Sequence, residues 1–140
     1  MRVFLDTNVL ASAFGTRGLC ADVIRVILGE HELVTAEVVL EELRRVMSGK
    51  FGVPVDTVNE MEMFLRGYHV EPKPHRLPEL GLSERGDLMV VASAIAARAE
   101  ILVTGEREML ALKRKPEGLR IISPREFWNL ANRTAPRRRS

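Results

Sequence analysis

The sequence predicts an α/β fold with a mostly parallel sheet. Two observations carry this. Short β-rich segments alternate with helical ones along the whole chain, and such alternation builds a sheet layer covered by helices. The first β segment, Arg2-Val3-Phe4-Leu5, is apolar except for Arg2, as expected of a strand buried on both faces. With 140 residues, 46 % of them hydrophobic and 29 % charged, the chain is long enough for one domain with its own core.

The elements follow in order. Arg2 to Leu5 is strand one and runs into Asp6-Thr7-Asn8, all turn or capping types. A helix is predicted over Val9 to Phe14, with Gly15 as its stop, and a second over Leu19 to Leu28, closed by Gly29. Glu32 to Thr35 is strand two. Thr35 is expected to cap a helix from Ala36 to about Met47, with Val38, Val39, Glu42, Leu43 and Val46 sharing much of one face. After Pro54, Val55 to Gly67 reads as helix, and Tyr68 to Val70 as strand three. Three prolines make Glu71 to Leu82 a loop. Ser83 is expected to cap a helix from Glu84 to Arg98. Ile101 to Val103 is strand four, Arg107 to Leu112 a short helix, Leu119 to Ile122 strand five. Ser123-Pro124 opens a last helix to about Ala131, with proline in its first turn. The pattern is roughly βαα-βαα-βα-βα-βα, with no internal repeat.

Composition excludes several classes. No apolar run approaches the roughly 20 residues of a membrane span, and an acid at position 6 does not suit a signal peptide. The single cysteine, Cys20, can form neither an internal disulfide nor a cysteine metal site. A soluble, cytoplasmic protein with no membrane association is the expectation. The net charge of +2 hides an asymmetry: Arg133, Arg137, Arg138 and Arg139 fall in the last eight residues, and without these four the rest stands at −2. Residues 1–132 read as one domain and 133–140 as a basic, disordered tail, either a solubilising end or an auxiliary phosphate contact. Aromatics are only 5 %, so no stacking platform for single strands is evident.

The informative residues are the acids. In an open α/β sheet the site lies beyond the carboxyl ends of the strands. Asp6 ends strand one, and Glu106 follows strand four by two residues. Asp87 lies in the first turn of the helix leading into strand four. Glu42 shares a stripe otherwise apolar. Each has a structural explanation: Asp6 and Glu106 as helix caps, Asp87 as a first-turn acid favoured by the helix dipole, Glu42 as a solvated residue if the helix phase differs. Gathered at one sheet end, four carboxylates repel one another and resist burial, and a divalent cation resolves both costs. Oxygen-only donors suit Mg²⁺ or Mn²⁺ rather than zinc. Such a site, open on one side, suits phosphodiester hydrolysis.

Four stretches carry a family resemblance. Val3-Phe4-Leu5-Asp6-Thr7-Asn8-Val9-Leu10 resembles the opening of PIN-domain ribonucleases. Leu40-Glu41-Glu42-Leu43-Arg44-Arg45-Val46 resembles the family's second acid motif. Gly86-Asp87-Leu88-Met89-Val90-Val91-Ala92-Ser93-Ala94 resembles the third, and Leu102-Val103-Thr104-Gly105-Glu106-Arg107-Glu108-Met109-Leu110 the fourth. Each motif alone is weak; the four in order, spanning about residues 2 to 130, are specific. Within the family the chain is similar to the VapC toxins of toxin–antitoxin pairs.

The resemblance implies a three-layer α/β/α sandwich around a five-stranded parallel sheet in order 3-2-1-4-5. It implies a Mg²⁺- or Mn²⁺-dependent endoribonuclease, typically a homodimer, held in check by an antitoxin protein. By this likeness Asp6, Glu42 and Asp87 are the metal-binding catalytic acids, with Glu106 as the fourth. Asn8 and Thr104 match polar positions that hold ligands, water or phosphate. The chain departs from the family in one place: glutamates at 106 and 108 stand where aspartates are usual. Glu106 is preferred because it is nearer the strand end. For gripping RNA the basic candidates are Arg17, Arg44, Arg45, Arg107, Lys113, Arg114 and Lys115, with Arg107 favoured for its place between the two acids. His31, His69 and His75 are read as neither ligands nor bases. Met61, Met63, Met89 and Met109 read as packing, and Phe127-Trp128 as core or dimer packing.

Two other functions compete. One is a PIN-fold RNA- or protein-binding module that has lost activity, which the glutamates at 106 and 108 favour and an intact Asp6, Glu42 and Asp87 oppose. The other is a phosphatase with a nucleophilic aspartate, which would place a second aspartate where Asn8 stands. A nucleotide-binding site of the glycine-rich type fails, because no such loop follows strand one.

Overall fold

Residues 1–134 are described by the computed structural model of the chain. Five short strands, β1 (Arg2–Leu5), β2 (Glu32–Ala36), β3 (His69–Glu71), β4 (Ile101–Val103) and β5 (Arg120–Ile122), form one sheet in order β3-β2-β1-β4-β5. Every pairing is parallel. Between them run α1 (Thr7–Gly15), α2 (Leu19–Glu30), α3 (Glu37–Arg45), α4 (Val55–Arg66), α5 (Arg85–Ala96), α6 (Arg107–Leu110) and α7 (Pro124–Thr134). The strand order is the one the family resemblance implies.

The two outward progressions explain the layering. From β1 the chain steps through β2 to β3; it then returns to the other side of β1 and steps through β4 to β5. Right-handed crossovers running in opposite directions put helices on opposite faces of the sheet. The central strands are therefore covered twice, and Val3, Phe4, Leu5, Val34, Leu102 and Val103 are fully buried. This is why β1 and β4 read as apolar runs and not as alternating ones.

Several element ends differ from the sequence expectation, each for a local reason. α1 starts at Thr7, because the Asp6 carboxylate accepts the Thr7 N–H and its carbonyl accepts from Val9 and Leu10. Thr35 does not cap α3: it is buried inside β2, and α3 follows Ala36 without a side-chain cap. α3 stops at Arg45 and widens into a π-helical turn over Val46–Lys50. There the Ser48 hydroxyl donates to the Arg44 carbonyl at 2.6 Å, an interception that competes with regular helical bonding. Ser83 caps no helix; its hydroxyl is taken by Glu108. α7 runs to Thr134 and so takes in Arg133, past the boundary drawn at residue 132. Arg137, Arg138 and Arg139 lie outside the described residues.

Among the described residues one non-glycine backbone position lies in the left-handed region. Arg98, after the end of α5, has φ 57°, the left-handed region that disfavours a Cβ. The Ala97 carbonyl beside it is satisfied by the Arg2 guanidinium at 2.7 and 3.0 Å. The Arg98 side chain is exposed and helps little in return. Arg98→Gly is expected to stabilise the fold by about 1 kcal/mol, read as a higher urea midpoint with unchanged slope.

Candidate active site

The sheet order creates one crevice. The chain leaves β1 towards β2, and β4 lies on the opposite side of β1, so the loops after β1 and β4 part over a switch point. Leu5 is level with Val103 in the register, and the Asp6 N–H donates to the Val103 carbonyl at 3.0 Å. The residues that follow, Asp6 and Thr104, are thereby fixed side by side.

Their side chains meet. The Thr104 hydroxyl donates to Asp6 Oδ2 at 2.6 Å, and the Thr7 N–H donates to Asp6 Oδ1 at 2.8 Å. Asp6 is 5 % exposed. Burial raises its pKa above the usual carboxylate range, the two hydrogen bonds oppose this, and the charges of Glu106 and Glu42 push it further up. The same Thr104 hydroxyl accepts the Glu106 N–H at 3.0 Å, so one hydroxyl spans both acids. Asn8, in the first turn of α1, donates from Nδ2 to Glu106 Oε1 at 2.8 Å.

A cleft of about 510 Å³ opens over this point, lined by six carboxylates: Asp6, Glu41, Glu42, Glu84, Asp87 and Glu106. The four acids singled out in the sequence, Asp6, Glu42, Asp87 and Glu106, all line it, as does Asn8. Asp87 sits half-buried near the start of α5. Its carboxyl is pushed up to about 6, first by burial and then by the charges of Glu106, Asp6, Glu108 and Glu84. Glu42 is reached from α3, whose Val39 and Leu43 go into the core while Glu42 stays at the cleft edge, paired with Arg45.

Other assignments come out differently. Arg107 is exposed and does not line the cleft; among the described residues the cation that does is Arg45. Arg44 turns to Glu62 and Asn59. Lys115 donates to the carbonyls of Leu110 and Leu112. Glu108 stands outside the cleft and holds Ser83 by its hydroxyl at 2.7 and 2.9 Å, tying α6 to the start of α5. Glu41 and Glu84 also line the cleft and are not among the acids that the sequence singles out. Glu84 precedes Asp87 by three residues, and Glu41 adjoins Glu42. Lys73 pairs with Glu41 at 2.7 Å.

The donor set fits a hard divalent cation. It is all oxygen, it is dominated by carboxylates, and Asp87 is pushed up by burial and by the charges of the acids around it. Among the described residues no three His, Cys, Asp or Glu side chains already stand together as a metal cage. Glu42 is engaged by Arg45 and Glu106 by Asn8.

Comparison with known proteins places the fold. The family model for the PIN domain matches residues 2–108, and the chain belongs to that family. The structure is similar to a chain of VapBC2 from Rickettsia felis, solved bound to a DNA fragment from their promoter. The TM-score is 0.66 at 18 % identity, over 88 % of this chain and 98 % of that one. A domain of a functionally unknown protein from Methanocaldococcus jannaschii aligns over 99 % of this chain and 95 % of that one, with TM-score 0.45 and 18 % identity. No curated protein is significantly similar in sequence. Among the described residues no helix is long and apolar enough to cross a membrane.

The crowding of acids has a consequence for stability. Asp87 titrates near the ordinary ~3.9 when the chain is unfolded and near 6 in the fold. The folded state therefore binds this proton more tightly, and stability falls as pH rises between those values. Without divalent cations, Asp87→Asn should be more stable than the parent at pH 7 by about 1 kcal/mol, because solvent screens a half-open group. The gain should vanish below about pH 4. Urea unfolding in EDTA at the two pH values checks it.

Proposed function

We propose that the chain is a Mg²⁺- or Mn²⁺-dependent endoribonuclease that hydrolyses RNA phosphodiester bonds, acting as the toxin of a toxin–antitoxin pair. The observation that carries the reading is the gathering of Asp6, Glu42, Asp87 and Glu106 around one cleft, where Asp87 is pushed up by burial and by the charges of Glu106 and Asp6 among others. Membership of the PIN domain family and the fold shared with a chain of VapBC2 support it. An antitoxin partner and a homodimer belong to the same proposal.

The chain's own residues divide the work. Asp6, held at both oxygens, cannot rotate away and gives the site its fixed point. Glu42 and Asp87 approach from α3 and α5, so the site closes only when three separate elements are in place. Asn8 restrains Glu106, whose longer side chain needs such a tether to match an aspartate. A divalent cation among these four acids would polarise the scissile phosphate and stabilise the leaving oxygen. The open side of the cleft leaves room for an RNA strand, and Thr104 keeps Asp6 and Glu106 in register.

Cleavage of a mixed pool of single-stranded and structured RNA, in Mn²⁺, in Mg²⁺ and in EDTA, tests the reading. Cutting should need the cation. Asp6→Asn, Glu42→Gln and Asp87→Asn should each lose about 100-fold or more while staying folded, the scale of several kcal/mol of lost charge stabilisation. Glu106→Gln should lose about tenfold and need more cation. Full activity in any of the first three removes that residue from the machinery. Cutting that persists in EDTA overturns the cation.

A further inference from the structure

Among the described residues six carboxylates and one guanidinium line the cleft, and that guanidinium already has a partner. Arg45 Nη2 donates to Glu42 Oε2, three residues back on the same helix face. Glu42, like its neighbour Glu41, reaches the cleft from α3. The pair is open to water, with side chains 73 % and 47 % exposed. Ion pairs this exposed are worth little, so the contact breaks readily when a stronger partner arrives. Of the other arginines, Arg44 is held by Glu62 and Asn59, and Arg85 and Arg107 do not line the cleft.

An RNA phosphate approaching this cleft meets like charge on nearly every side. A bound cation offsets part of it, and the binding of that cation takes Glu42. We infer that Arg45 is a resident counter-ion of Glu42 which a divalent cation displaces, and that the freed guanidinium then takes an RNA phosphate. The inference rests on the cation-dependent reading above and assigns the residue that couples cation to substrate. A guanidinium suits both roles, since its fork accepts carboxylate and phosphate oxygens alike. Coupling of this kind is reciprocal: if the cation readies Arg45 for RNA, RNA must tighten the cation by the same factor.

The test has two readouts, neither of them turnover. Mn²⁺ affinity is measured by calorimetry on the parent chain, Arg45→Gln and Arg45→Lys. Arg45→Gln should bind Mn²⁺ about two- to tenfold more tightly, because a competitor for Glu42 is gone, with Arg45→Lys between. Affinity for a short labelled single-stranded RNA is measured by anisotropy, with Ca²⁺ and with EDTA. In Ca²⁺ Arg45→Gln should weaken RNA binding about three- to tenfold, and in EDTA by less than about 1.5-fold, since there Glu42 already occupies the guanidinium. Arg107→Gln removes the same charge outside the cleft and should show no such dependence on cation. Arg45 is exposed, so its variants should fold as the parent does. Unchanged or weaker Mn²⁺ binding in Arg45→Gln, or an equal RNA defect with and without cation, overturns the inference while leaving the cation site intact. No Mn²⁺ binding by the parent chain overturns both.

Discussion

The contact between Asp6 and Thr104 is the constraint on which the rest of the site depends. It joins the ends of β1 and β4 across the switch point, at 2.6 Å and out of water. A carboxylate buried to this degree is costly unless its oxygens are satisfied. Here both are, one by a side-chain hydroxyl and one by the first N–H of α1. The parallel register supplies the geometry, because Leu5 and Val103 are level and deliver the next residues to the same edge. The Thr104 hydroxyl, accepting the Glu106 N–H as well, extends the same order to the second acid. Substituting Thr104 would therefore disturb two acids at once.

Around that fixed point the protein tolerates an electrostatic arrangement that works against its own stability. Asp87 is pushed up to about 6 first by burial and then by the charges of Glu106, Asp6, Glu108 and Glu84. A structural ion-pair network looks different, and one is present nearby for contrast. Arg66 lies between Glu37 and Glu62, and both carboxylates are held below the usual range by the guanidinium. That network pairs both of its carboxylates with arginine, whereas in the cleft Asp6 and Asp87 have no cationic partner among the described residues. Perturbed acids held against desolvation and each other are the ordinary mark of a functional site.

Much of the architecture was legible in the sequence because buried parallel strands and capped helices leave strong local patterns. Element ends were less so. Thr35 is a good cap by type, yet its place in the β2 pairing with Val70 keeps it in the strand. Ser83 is likewise a good cap by type, but Glu108, 25 residues on, claims its hydroxyl. Residue type cannot report a partner so far away in the chain. The gathering of four acids at one edge followed from their positions at strand and helix ends, and the cleft indeed contains all four. The cation in the cleft was harder to see. Arg107 lies between two acids in sequence, but neighbours on a helix diverge by about 100°. Arg45 stands three residues after Glu42, and that spacing puts them on one face. Glu84 and Asp87 share the same spacing.

The proposed function requires that the carboxylates of this cleft together hold a divalent cation. Paramagnetic broadening of backbone amide signals during a Mn²⁺ titration tests it directly, since it locates the ion without reference to catalysis. Broadening is expected to centre on Asp6, Glu42, Asp87 and Glu106, at substoichiometric Mn²⁺ and reversed by EDTA. Broadening that begins instead around the Arg66, Glu37 and Glu62 cluster, or spreads evenly over the acidic surface, would contradict it.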